Sequence, residues 1–512
     1  MATPMLDVSP SEKPRVEHFE SKARDDVVYE GLHKSRWDEL SIPRTLWVFK
    51  RAVLLGAGGS IITNAGFIKQ FGDQTSGGVR ALNPTWVSTW SAVLNVGQIV
   101  TFTHISWQVS VADRYGRKAS FYLARLWLVV GCALLNTAKT PAVWALAKLC
   151  NGTGIGVLQY VPCCTRSPRL TAQNYLPGLR DGDLPNRIRG GMVTFQAAWH
   201  NIRAIIVSVM MQQLNEKHPD NYLLAMRILW APIGFMLLCW AFIPESPWFH
   251  ARRDNKDAAM KSLKQLFGGV EGYDCEEEYG IITRTIEHEN EMLSNQPSYR
   301  DVFKGLNLRR TLTVMILAVC QQLAGLSIIS TYSTYFFSLA GLSDPFLGTV
   351  ILSCVNLLAI ALWSLTTDKL GRHLIVNVLE TFVVLICFIV ATTGNAAAGT
   401  GLLVICCFWT FAFQPIGMSY YLYSAELPSA ILRIKTGPVT FFTNSITGIA
   451  TCYATPPMLL ALGVRSGFVY GALSVPMCIL MWLYIPETKG PSASVEQQMH
   501  DIVHGGERQP EA

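Results

Sequence analysis

Two short charged stretches, "VADRYGRKAS" (residues 111–120) and "TTDKLGRHLI" (residues 366–375), follow nearly the same pattern. Each contains Asp-x-x-Gly-Arg followed by a basic residue, and each directly follows a long apolar run. Asp113 and Asp368 lie 255 positions apart, about half of the 512-residue chain. The pattern therefore indicates one structural unit that is written twice.

A second pair of motifs supports the duplication. "PESPW" (244–248) and "PETKG" (486–490) each close a long apolar segment, and they are separated by nearly the same offset as the first pair. Parallel repeats of this kind are a transporter architecture, with the solute site between the halves near the membrane midplane.

The composition predicts a polytopic membrane protein. Hydrophobic residues make up 50% of the chain and charged residues only 15%, against about 25% charged residues in soluble proteins. We therefore expect the lipid bilayer as a partner. The net charge of +6 is modest and dispersed, so we expect no nucleic-acid partner. The thirteen cysteines fall mostly in apolar runs, where cysteine acts as a small hydrophobe. We expect no disulfide framework, metal site or other cofactor.

Runs of about 20 apolar residues, the length that crosses a membrane, can be read twelve times. The predicted spans are 46–68, 86–110, 119–138, 142–162, 191–213, 223–243, 311–338, 346–366, 374–393, 401–425, 437–460 and 465–485. The sequence thus predicts an all-α membrane protein with twelve transmembrane helices in two six-helix halves.

These spans divide the chain into five predicted regions. They are an N-terminal tail (1–45), a first six-helix half (46–243), a central loop (244–310), a second half (311–485) and a C-terminal tail (486–512). Basic residues collect in the loops after spans two, eight and ten, and such loops are normally cytoplasmic. We expect both tails and the central loop on the cytoplasmic side, and the plasma membrane as the location. The central loop is predicted to form short amphipathic helices on that face, with a partner-binding domain as the alternative.

The motifs together resemble the sugar porter family of the major facilitator superfamily over about residues 86–490. "DRYGRK", "DKLGRH" and "PETKG" match its loop motifs, while "PESPW" has Trp248 where the family has arginine. "KLCNGTGIG" (148–156) and "QQLAG" (321–325) resemble its patterns on spans four and seven. "YSAELPSAILRIKT" (423–436) resembles the end of span ten in fungal α-glucoside and related permeases most closely, and the chain as a whole resembles fungal α-glucoside and hexose permeases. The resemblance implies the major facilitator fold.

Charged residues at the cytoplasmic helix ends are predicted to form a gate. Their acids can cap helix starts, and their arginines can pair with carboxylates on neighbouring helices in one conformation only. The predicted gating residues are Asp113, Arg117, Asp368, Arg372, Glu245, Glu426 and Glu487. Plain positive-inside anchoring is the alternative, and the repetition of the acids favours the gate. On span four, Gly152, Gly154 and Gly156 permit close helix packing.

Polar residues inside the spans are the candidate solute site. An amide in hydrocarbon is costly unless it is paired, and it offers both a donor and an acceptor to sugar hydroxyls. Family members use the two glutamines of span seven in this way, and helix-to-helix contacts are the alternative. The predicted binding residues are Gln321, Gln322, Ser327, Tyr332, Tyr335, Gln196, Trp409, Tyr420 and Asn444. Each aromatic residue has anchoring at the membrane interface as an equal alternative.

Several features depart from the family pattern. Span one is short and has no acid, although proton-coupled members carry their proton-binding acid there, so Lys148 lacks its expected partner. Residues 163–188 look inserted, and Arg203 lies within span five. Glu380, the one acid deep within a predicted span, is either a relay group or the partner of Arg203. Weak or absent proton coupling is expected unless Glu380 or another acid substitutes.

The sequence predicts a secondary transporter that moves a sugar or sugar-like polyol by alternating access. The sequence shows no nucleotide-binding loop and no nucleophile–base pair, so we do not expect an enzyme. Three alternatives stay open: a non-transporting nutrient sensor, an exporter of a secondary metabolite, and a damaged paralogue of a sugar porter.

Overall fold

The structure is a computed structural model. It describes residues 64–76, 79–103, 114–164, 186–231, 233–234, 237, 244–267, 274–292, 298–370, 372–393, 400–428 and 432–486. Most of predicted span one, the N-terminal tail, the C-terminal tail beyond Pro486 and most of the 163–188 segment lie outside these residues.

Helices dominate the first half. They are α1 (Ala65–Phe71), α2 (Pro84–Thr103), α3 (Arg117–Thr137), α4 (Pro141–Cys164), α5 (Asn186–Lys217) and α6 (Tyr222–Ile228). A short antiparallel pair, β1 (Gln74–Ser76) and β2 (Val79–Ala81), joins α1 to α2 with Thr75 opposite Arg80. This pair is a small addition to the all-α prediction.

Three short helices follow before the second half. They are α7 (Pro247–Ala251), α8 (Lys256–Phe267) and α9 (Cys275–Met292), followed by a 3-10 turn at Tyr299–Phe303. Trp248 is buried in a small apolar core with Leu263 and Ile282. The tryptophan at the family's arginine position therefore anchors this helical cluster, and the prediction of helices in the central loop is confirmed.

The second half contains the longer apolar helices. They are α10 (Gly305–Gln321), a π-helical turn (Gln322–Thr331), α11 (Ser333–Leu339), α12 (Pro345–Leu370), α13 (Arg372–Thr393), α14 (Thr400–Glu426), α15 (Arg433–Leu462) and α16 (Ser466–Tyr484), with a 3-10 turn at Gly463–Arg465. The ends of α12 to α16 agree with the predicted spans to within a few residues.

Six stretches of the described chain are long and apolar enough to cross a membrane. They are Lys118–Thr137, Gly305–Thr331, Pro345–Trp363, His373–Thr392, Thr400–Tyr421 and Lys435–Tyr484, the last of which runs through α15 and α16. Helices α2, α4 and α5 have 20, 24 and 32 residues. At 1.5 Å per residue, each of these three reaches at least about 30 Å, the thickness of the hydrocarbon layer.

Small residues and aromatic rings hold the first half together. An added Cβ at Gly152 of α4 would meet the backbone of α2 at Leu94, so only glycine permits this helix approach. The predicted role of the span-four glycines in close packing is confirmed. Phe67 of α1 stacks edge-on against Trp144 of α4 and Tyr222 of α6, with ring centroids 4.9 and 5.6 Å away. Such pairs stabilise beyond their buried area by about 0.5–1.5 kcal/mol each.

Among the described residues, the two halves meet mainly along two helix pairs, α2 with α15 and α5 with α12, and α15 also contacts α4. At one end of the second pair, the Gln212 amide donates to the Asp344 carboxylate at 3.3 Å. The polar residues that matter for function lie along the first pair and along the broken helix beside it.

Candidate functional site

Span seven is broken where its polar motif lies, and it is not the single helix predicted over 311–338. Helix α10 ends at Gln321, and the following π-helical turn contains Gly325 with φ +98°. Only glycine adopts this left-handed conformation at low cost. The chain resumes an α-helix at Ser333. Discontinuous helices of this kind line solute sites in many transporters.

The two glutamines at this break face different helices. Gln321 donates through Nε2 to the carbonyl oxygen of Gly417 on α14 at 3.4 Å. Gln322 donates through Nε2 to Oδ1 of Asn444 on α15 at 3.0 Å. The structure thus brings together three of the predicted binding residues: Gln321, Gln322 and Asn444.

One acceptor in this group has no partner. The Oε1 atom of Gln321 is buried, and no hydrogen bond to it is present among the described residues. More than about nine-tenths of buried polar groups in native proteins are hydrogen-bonded, so an exception needs an explanation. A hydroxyl group that donates to this oxygen would satisfy it.

Helix α2 of the first half adds two polar residues that the sequence analysis missed. Gln98 accepts a hydrogen bond from the Ser445 hydroxyl of α15 at 3.2 Å. Asn95 lies against Gly448, whose added Cβ would be 3.2 Å from Asn95 Oδ1, and its amide reaches Cys452 Sγ at 3.8 Å. Asn95 and Gln98 are spaced i, i+3, which places both on one face of α2. Two amides at i, i+3 spacing within an apolar span are the sequence signal from which these residues could have been found.

We call the residues that meet here the polar seam. It comprises Asn95 and Gln98 from α2, Gln321 and Gln322 at the break in span seven, and Asn444 and Ser445 from α15. The seam offers amide donors, amide acceptors and a hydroxyl between the two halves. It contains no ionisable side chain, which suits a neutral hydroxylated solute better than a charged one.

The other predicted binding residues have separate surroundings. Ser327 is buried and donates to the Thr451 hydroxyl at 3.1 Å. The buried Tyr332 hydroxyl donates to the Cys452 carbonyl at 3.0 Å, which fastens the broken helix to α15. Its ring lies in the apolar core, so the ring is not exposed to a solute in this conformation. Tyr335 is half-buried.

Two predicted aromatic residues on α14 also lie in the apolar core. Trp409 stacks on Phe413 with ring centroids 4.6 Å apart, and its ring packs against the break at Gly325. Tyr420 is fully buried. An apolar cavity beside Gly325 and Trp409 is lined by Ile328, Cys387 and Tyr470, among others. Its walls match hydroxylated solutes poorly, whereas the polar seam matches them well. The side chain of Gln196 lies outside the described residues.

Of the acids predicted to form the cytoplasmic gate, Glu245 is the one whose side chain the structure describes. Glu245 accepts a hydrogen bond from the Lys118 backbone N–H at 3.2 Å, so it caps the start of α3. An added Cβ at Gly116, where φ is +94°, would lie 2.5 Å from Glu245 Oε2. Glu245 thus performs the capping role that was predicted for Asp113. Asp113 and Glu487 lie outside the described residues, as do the side chains of Arg117, Asp368, Arg372 and Glu426.

Further contacts hold the chain at Arg114, just before α3, against the segment that follows α7. The Arg253 guanidinium donates to the Arg114 carbonyl at 2.5 Å and lies over the Phe249 ring. Burial lowers the pKa of His250, and Arg253 lowers it as well, although Glu245 opposes both. In the second half, the Tyr423 hydroxyl donates to the carbonyl of Pro486 at 3.1 Å, at the corresponding end of span twelve.

Comparison with known proteins agrees with this architecture. The family model described as "Sugar (and other) transporter" matches residues 55–499. The chain belongs to this transporter family. It is a multi-pass membrane protein with the major facilitator fold.

Similar proteins cover most of the chain. An "MFS transporter fmqE" of Aspergillus fumigatus is 25% identical over 85% of this chain and 80% of its own length. "Hexose transporter 2" of Kluyveromyces lactis is 23% identical over 86% of this chain and 78% of its own. The partially occluded, inward-open structure of the xylose transporter XylE from E. coli superposes with a TM-score of 0.64 at 17% identity, over 87% of this chain and 96% of that one.

The Gly116–Glu245 contact of this transporter can be tested with a matched pair of variants. Gly116→Ala strains the backbone by about 1–3 kcal/mol. It also displaces Glu245 from a charged hydrogen bond worth about 1.5–3 kcal/mol. Gly341→Ala is the control, because Gly341 also has a positive φ (+76°) but open space around it. We expect a larger fall in the thermal unfolding midpoint for Gly116→Ala, and equal falls would show that the contact contributes nothing.

Proposed function

We propose that this protein is a secondary transporter that carries a sugar or sugar-like polyol across the membrane, with the solute bound at the polar seam. The observation that carries the proposal is the buried, unpartnered Oε1 of Gln321 beside the Gln322–Asn444 pair. A solute hydroxyl would donate to that oxygen, and its own oxygen would accept from a neighbouring amide. The similar proteins that are named as hexose and xylose transporters support this class of solute.

The contacts between the halves support an alternating-access cycle. In the described part of the chain, polar side chains join α2 to α15 and α5 to α12, and the Gln212–Asp344 hydrogen bond is only partly buried. Hydrogen bonds that can exchange with water permit the halves to separate at little net cost. Rocking of the halves around the seam would open it to each side of the membrane in turn.

We further propose that the helix ends near Glu245 face the cytoplasm and that the loop around Ser343 faces outward, in the plasma membrane. The basic residues near Gly116 support this orientation. In intact cells, an impermeant thiol reagent should label a cysteine placed at Ser343 and spare one placed at Tyr115. The wild-type chain measures background labelling, and the opposite pattern would reverse the orientation.

The binding role of the glutamines is tested by Gln322→Ala. Removal of this amide leaves a solute hydroxyl and Asn444 without a partner in a partly desolvated site, which costs about 1–3 kcal/mol. The half-saturation concentration should therefore rise about ten-fold or more, with surface expression near the wild-type level. Uptake of a labelled panel of hexoses, disaccharides and polyols, in cells that lack their own sugar transporters, provides the measurement.

Two further variants distinguish solute binding from helix packing. Asn444→Ala should raise the half-saturation concentration as well, and the double variant should cost less than the two single effects combined, because the two amides act as one unit. Asn356→Ala is the control, since it removes an amide with a buried Oδ1 from α12, a helix that contributes no residue to the polar seam. Unchanged affinity with reduced folded yield in Gln322→Ala would assign these residues to helix packing instead.

A further inference from the structure

A second polar group lies inside the second half, away from the polar seam. Glu380 is fully buried near the middle of the membrane-spanning stretch His373–Thr392. Its Oε1 accepts a hydrogen bond from the Cys320 thiol at 3.1 Å. Its Oε2 is buried and has no hydrogen-bond partner among the described residues. A single thiol does not compensate the loss of hydration of a carboxylate, so a bare negative charge at this place is very costly.

Asn377, about one helical turn earlier on α13, also has buried polar atoms without hydrogen-bond partners. It is fully buried, and neither its Oδ1 nor its Nδ2 makes a hydrogen bond within the described part of the chain. The i, i+3 spacing places Asn377 and Glu380 on one face of α13. Two adjacent buried groups with unused hydrogen-bonding capacity are uncommon in native proteins and indicate that something binds there.

This cluster borders the broken helix of the solute site. Cys320, the partner of Glu380, directly precedes Gln321, whose Oε1 is also unpartnered. The Cys387 thiol of α13 reaches the Ala324 carbonyl at 3.8 Å, next to the break at Gly325. A movement of span seven would therefore change the surroundings of Glu380 directly.

The groups that face Glu380 are thiols. Among the described side chains, the ionisable groups whose charge affects or is affected by Glu380 are Cys320 on α10, Cys387 on α13 itself and Cys478 on α16. Neither α14 nor the π-helical turn contributes an ionisable side chain that interacts with it in this part of the structure. No described lysine, arginine or histidine forms an ion pair with Glu380, and the side chain of Arg203, the alternative partner, lies outside the described residues. A bound proton would remove the charge of Glu380 without any such partner.

We propose that Glu380 is a proton-binding site that loads and releases one proton as span seven rearranges. In the conformation described here the carboxyl group holds the proton on Oε2. Release leaves a carboxylate and gives the proton to water that reaches the rearranged span seven, and uptake from water reverses the step. This inference rests on the proposed transport function only for its coupling to solute, whereas proton binding itself is a property of the protein without solute.

Infrared spectroscopy of the full chain in lipid tests proton binding directly. The wild type should show the carbonyl stretch of a protonated carboxylic acid in neutral buffer, and the band should disappear as the buffer is made alkaline. Glu380→Gln should remove the band, and Cys320→Ala should shift it because its hydrogen bond is lost. Glu216→Gln, which changes an exposed glutamate at the end of α5, should leave it unchanged.

Three results would overturn the proposal. One is a spectrum without a Glu380-dependent band, which would mean that the carboxylate is charged. Another is a band that no pH removes, which would make Glu380 a permanently protonated structural residue. The third is a band that responds to sodium and not to pH, which would make the cluster a metal-cation site.

Transport measurements in proteoliposomes distinguish proton coupling at Glu380 from solute transport itself. Glu380→Gln should keep exchange of labelled glucose across the membrane without a gradient and lose accumulation driven by a pH gradient. Accumulation at the wild-type level by this variant would contradict the coupling. A wild-type protein that exchanges no member of a glucose, maltose and xylitol panel would contradict the proposed function, while the infrared band would still decide the protonation of Glu380.

Discussion

The structure depends on the cost of placing polar groups in hydrocarbon. An amide, a hydroxyl or a carboxyl group within a membrane span must find a partner in the protein, in water or in a bound solute. Among the described residues many such groups are paired, as Ser327 is with Thr451 and Tyr332 is with the Cys452 carbonyl. The exceptions are therefore informative, and two of them meet at the same broken helix: Gln321 belongs to it, and Glu380 on α13 contacts it through Cys320.

The break in span seven connects these exceptions to movement. A π-helical turn and a glycine at positive φ interrupt the helix where its glutamines project. Trp409 packs against the break and holds it in place from α14. A rearrangement of this segment would alter the polar seam on one side and the Glu380 cluster on the other. One mobile element could in this way link solute binding to proton binding.

Much of the fold could be predicted because membrane spans have a simple physical requirement. The twelve apolar runs and the repeated Asp-x-x-Gly-Arg turn indicated the architecture, and the described helices from α2 to α5 and α12 to α16 begin and end close to the predicted spans. The glutamines of span seven were also found, because amides stand out in an apolar sequence.

Features that depend on tertiary packing were harder to predict. Nothing local in "QQLAG" shows that Gly325 breaks the helix, since glycine is also frequent in unbroken spans. The pairing of Gln98 with Ser445 joins residues 347 positions apart, and the capping of α3 by Glu245 joins residues 127 positions apart. The burial of Tyr332 and Tyr420 was missed because an aromatic side chain in a span suits a core, an interface or a ligand equally well.

The central claim is that the two halves move relative to each other around the polar seam. The distance between spin labels at Glu216 on α5 and Leu347 on α12, both exposed beside the Gln212–Asp344 contact, measures that movement most directly. In lipid nanodiscs we expect two distance populations whose ratio changes when glucose, maltose or xylitol is added. A single narrow distribution that remains unchanged with each of these solutes would contradict it.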